Sequence, residues 1–96
     1  MITVKAKIHL YENVRTKPFQ NGYRPAFDFD RGSFTSGRIL LTENKEIFSP
    51  GETGYVKINF LSREFLGDVK EGEKVFFYEG SHCVGEAEIL EIISLD

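Results

Sequence analysis

A small antiparallel β-barrel of about six strands is the fold predicted for this sequence, on three observations. Apolar and polar residues alternate with a period of two along most of the chain, which is the spacing of half-buried strands. Turn-forming residues interrupt that alternation about every eight to twelve residues. No stretch of about ten residues carries a helical apolar stripe. Closure into a barrel is expected over an open sandwich because it leaves no strand edge to protect.

The elements follow in chain order. Ile2, Val4, Ala6, Ile8 and Leu10 alternate with Thr3, Lys5, Lys7 and His9, a long strand with His9 on its outward set. Residues 11–23 break the pattern with Asn13, Pro18, Asn21 and Gly22, and read as a long loop. Phe27 and Phe29 then alternate with Asp28 and Asp30. Gly32 and Gly37 are expected to bracket a turn before a short strand from Arg38 to Thr42. Ser49-Pro50-Gly51 is a turn, and Val56, Ile58 and Phe60 alternate with Tyr55, Lys57 and Asn59 after it. Ser62 to Leu66 has room for one helical turn at most. Lys70-Glu71-Gly72-Glu73 and Glu79-Gly80-Ser81-His82 are turns flanking a strand from Val75 to Tyr78. From Cys83 to Leu95 the alternation is imperfect. A bulge near Glu88 to Leu90 would gather its apolar residues on one face, with Gly85 easing a bend. The expected core is Ile2, Val4, Ile8, Leu10, Phe27, Phe29, Ile39, Leu41, Val56, Ile58, Phe60, Val75 and Phe77.

Ninety-six residues suit a single domain spanning 1–96, large enough for a core without disulfides or metal. No segment is apolar enough to span a membrane as a helix, and the alternating start lacks the apolar run of a signal peptide, so a cytoplasmic location is expected. Cys83 is the one cysteine, which removes every cysteine-based zinc pattern, and neither a metal nor another cofactor is expected. The net charge of −3 is unevenly spread. Residues 1–25 carry five basic groups and one acid, whereas residues 68–96 carry two and eight. A basic end facing an anionic partner is one consequence of such a distribution.

No catalytic constellation emerges. Phosphate-binding glycine motifs and the G-x-S-x-G elbow are missing. His82 and Cys83 are neighbours in a strand and so point to opposite faces. Glu86 and Glu88 share a strand face, but solvent-facing acids explain them more simply. No catalytic or nucleotide-binding residues are therefore assigned, and a non-enzymatic role is expected.

Two segments carry more information. Arg15-Thr16-Lys17-Pro18-Phe19-Gln20-Asn21-Gly22-Tyr23-Arg24-Pro25 displays three cations and two large rings on a loop stiffened by prolines, and Pro25 biases Arg24 toward extended geometry. Glu79-Gly80-Ser81-His82-Cys83-Val84-Gly85 is a turn entering the last strand. With Tyr23-Arg24-Pro25-Ala26-Phe27-Asp28-Phe29, Ser36-Gly37 and Ser49-Pro50-Gly51-Glu52, these segments resemble in order and spacing the third, C-terminal domain of elongation factor Tu, from about Lys5 to Ile93.

That resemblance implies a closed six-stranded Greek-key barrel and a binding role without GTP, because nucleotide chemistry belongs to another domain of that family. In the family this barrel touches the T stem of aminoacyl-tRNA, the GTPase domain and the exchange factor. Its RNA contacts come from near the loop and the turn matched here. Asn13-Val14 stands where the family has a glycine pair, Thr16 where it has histidine, and Ser81-His82 where it has Gly-Arg. Each cation lost from a phosphate-contacting surface weakens it, so a protein partner is expected ahead of tRNA or other RNA. The residues expected to bind are Arg15, Thr16, Lys17, Phe19, Tyr23, Arg24, Ser81 and His82. A small enzyme using His82 and Cys83 is the remaining, lesser alternative.

Overall fold

Strict alternation over nine residues forms the first strand, β1 (Ile2–Leu10), which buries every second side chain. The computed structural model describes residues 2–29, 34–42, 44–61 and 69–95. The further strands are β2 (Phe19–Gln20), β3 (Ala26–Asp28), β4 (Phe34–Leu40), β5 (Ile47–Phe48), β6 (Thr53–Phe60), β7 (Lys74–Glu79) and β8 (His82–Leu95). Asp30, the turn expected at Gly32 and the helical turn expected at Ser62–Leu66 lie outside the described residues.

Six of these strands close into an antiparallel barrel in the order β1-β6-β4-β3-β7-β8, with β8 pairing back to β1. The consecutive strands β3, β4 and β6 pair as neighbours while β1 lies beside β6, a Greek-key arrangement. The short ribbon β2–β5 packs at the end where β1 finishes and β6 begins, and Phe48 lies beneath Gly54 there.

The expected core residues are buried, except that Leu41 is only partly covered at the rim. Phe27 meets Phe60 edge-on at 5.1 Å and Phe77 at 5.5 Å in the barrel centre. The irregular last strand resolves as expected and goes further. Leu90 bulges out of the β1 ladder, Ile93 does so again, and Val84 bulges out of the β7 ladder. These extra residues turn Val84, Ala87 and Ile89 inward despite their imperfect spacing.

One expectation is corrected. Gly37 does not bound a turn; it sits inside β4, pointing inward. A Cβ there would lie 2.6 Å from a Phe27 ring carbon and 2.8 Å from one of Phe60, so the position admits only glycine because two aromatic rings already fill the space. The turns at Gly51, Gly72 and Gly80 form as expected, each with a positive φ.

Candidate binding site

The loop between β1 and β3 lies at one end of the barrel, beside the β7–β8 turn. Asn21-Gly22 reverses the chain. Gly22 takes φ of 91°, Tyr23 N–H donates to the Gln20 carbonyl at 3.2 Å, and the Asn21 side chain accepts from Leu41 N–H at 2.8 Å. This turn folds Tyr23 back over Phe19. Their rings stack at 4.3 Å, and Phe19 stacks on Phe48 at 5.2 Å. Phe19 is buried, so it acts as the plug of the barrel end and offers no surface to a partner.

Arg15 anchors the loop. Its Nη1 pairs with Oε2 of Glu79, its Nε donates to the Lys17 carbonyl at 2.7 Å, and its guanidinium lies 4.9 Å from the centre of the Tyr23 ring. The Tyr23 hydroxyl donates to the same Glu79 oxygen at 2.7 Å. Burial, followed by the hydrogen bond and charge of Glu79, pushes the Tyr23 phenol well above its ordinary pKa; Arg15 pulls the other way and loses. Arg15 therefore spends its charge internally.

The remaining candidates separate. Thr16 and Lys17 are exposed, and with Asn13, Val14 and Arg15 they line an open depression of about 470 Å³. Val14 adds apolar surface there, 46% exposed. Ser81 and His82 sit exposed at the tip of the β7–β8 hairpin, where His82 is the ladder partner of Glu79. Arg24 leaves the group. Ile39 N–H donates to the Tyr23 carbonyl at 2.8 Å and Gly37 N–H to that of Pro25 at 3.3 Å. These bonds extend the β3–β4 register backward, which places Arg24 across from Arg38 on the outer wall.

Glu79, the hinge of this arrangement, was not among the expected binding residues. Nothing local marks it, because its partners lie 64 and 56 residues away in sequence. Elsewhere, Glu86 accepts from Lys74 at 2.8 Å and from the Tyr11 hydroxyl at 3.4 Å. The Lys74 hydrogen bond holds the Glu86 carboxyl below its usual range against the opposing effect of burial, which suits an ion pair better than a general acid. His9 Nδ1 is 2.8 Å from Thr53 Oγ1. Among the described residues no three His, Cys, Asp or Glu side chains converge on a common point that could hold a metal ion, and no described helix is long and apolar enough to cross a membrane. No protein-family model matches this chain.

Proposed function

We propose that this barrel is a non-enzymatic binding module that engages a protein partner through the end carrying residues 13–18 and the β7–β8 turn. One observation carries the reading. Arg15 is tied to Glu79 and to its own loop carbonyl, so Val14, Thr16 and Lys17 are presented on a chain already ordered. A pre-ordered loop loses little entropy on binding. An apolar side chain beside a cation suits a protein surface that pairs an apolar contact with an acid.

The reading keeps the likeness to the third domain of elongation factor Tu and a translation-related role. The two segments that carry the likeness, Arg15 to Phe29 and Tyr78 to Gly85, meet in space at Arg15, Tyr23 and Glu79. A free thiol at Cys83 suits the reducing cytoplasm.

The test is affinity capture from the native cell with wild-type protein and with Val14→Ser/Lys17→Glu, a variant that leaves the Arg15–Glu79 tie in place. A protein captured by the wild type and lost by the variant supports the reading. Equal capture by both refutes this face as the site. Capture that disappears on ribonuclease treatment moves the assignment to RNA.

A further inference from the structure

Charge is sorted on the barrel wall more sharply than in the sequence. The outward residues of β1, β6 and β4 include Lys5, Lys7, Lys57 and Arg38 and no acid, although acids outnumber bases in the chain. The register sets Lys5 directly across from Lys57, with Leu40 on the far side of Lys57. Like charges placed directly opposite each other destabilise a sheet. Arg24, across from Arg38, extends the same patch by one strand. Among the described residues, compensation across the ladder comes at the far border, where Lys5 and Lys7 face Glu91 and Glu88 on β8. Lys57, Arg38 and Arg24 have no carboxylate across the ladder from them.

An open groove of about 360 Å³ lies at the Lys5–Lys57 part of this patch, with Leu40, Leu41 and Tyr55 as its apolar walls and the two lysines at its sides. Tyr55 is 56% exposed. We infer that this outer face is a second docking surface, taking a short acidic peptide segment that inserts an apolar side chain between the cations. The four adjacent strands from Arg24 to Lys5 span ~14 Å, which about five residues of extended chain can cross. Charge complementarity selects the acid, and the apolar groove selects a peptide over a polynucleotide. A longer polyanion would also run onto the glutamates of β8.

The probe is a labelled peptide of alternating Glu and Leu, followed by fluorescence anisotropy. The expected result is salt-sensitive binding that Lys57→Glu weakens about tenfold. The same change replaces a like-charge pair with an opposite one, so its thermal midpoint should equal or exceed that of the wild type. Tyr55→Ala should weaken the peptide while leaving the charges intact, and Lys17→Glu, on the other surface, should leave binding unchanged. The inference falls if the peptide binds no better than a Lys-Leu control, if Lys57→Glu binds as the wild type does, or if oligouridylate binds more tightly than the peptide.

Discussion

The Tyr23 hydroxyl donates to Glu79 Oε2 at 2.7 Å, and Arg15 pairs with that same oxygen. A single carboxylate from the end of β7 thus holds both the cation and the ring of a loop more than fifty residues away in sequence. Removing the hydroxyl in Tyr23→Phe keeps the stack on Phe19 and should cost about 1 kcal/mol by urea unfolding. Glu79→Ala frees Arg15 as well, and should make the loop a faster target for trypsin at the Arg15–Thr16 bond. Unchanged cleavage would show that the loop does not depend on Glu79.

Alkali should destabilise the fold through Tyr11 and Tyr23. Burial, then the charge of Glu86, pushes the Tyr11 phenol up to about 12, and Tyr23 is raised as well, first by burial and then by Glu79. The unfolded chain releases these protons near the ordinary value of 10.0 while the folded protein keeps them. Stability is therefore whole below pH 10 and falls as pH rises beyond it. Urea midpoints measured along that range should drop, and Tyr11→Phe/Tyr23→Phe should flatten the decline.

Gly85 pairs with Phe77 across β7 and β8, and a Cβ on Gly85 would lie 2.3 Å from that ring and 2.6 Å from the His9 carbonyl oxygen. The ring can shift, whereas the carbonyl belongs to the β1 backbone. Gly85→Ala should thus cost about 3 kcal/mol or more, exceeding Gly37→Ala, where only rings are met. Thermal melts of the two variants would check the order.

The barrel centre should be the least forgiving region. Phe27 is fully buried against Phe60 and Phe77, and Phe27→Ala should cost about 3–5 kcal/mol, a large part of the stability of so small a domain. Retention of the wild-type melting temperature would contradict this packing.

Strand faces were legible because their period is local. Val4, Ile58 and Phe77 announce their inward direction through their immediate neighbours, and glycines such as Gly51 and Gly72 announce their turns through backbone freedom. Gly37 was misread for the same reason. Beside a run of small polar residues a glycine looks like a turn, and only the Phe27 and Phe60 rings explain it inside a strand. Strands as short as β2 and β5 offer too few residues for a period to show.

By itself, then, the sequence determined an all-β chain, the side of each long strand that meets the core, and the need for a bulge near Glu88 to Leu90, which the ladder register places at Leu90. Tertiary structure decided the partners. The Arg15–Glu79 tie, the burial of Phe19 under Tyr23 and the move of Arg24 to a wall shared with Arg38 and Lys57 all depend on which strands lie side by side. Barrel closure sets that adjacency through hydrogen bonds between distant segments, and no local pattern encodes which distant segment will arrive.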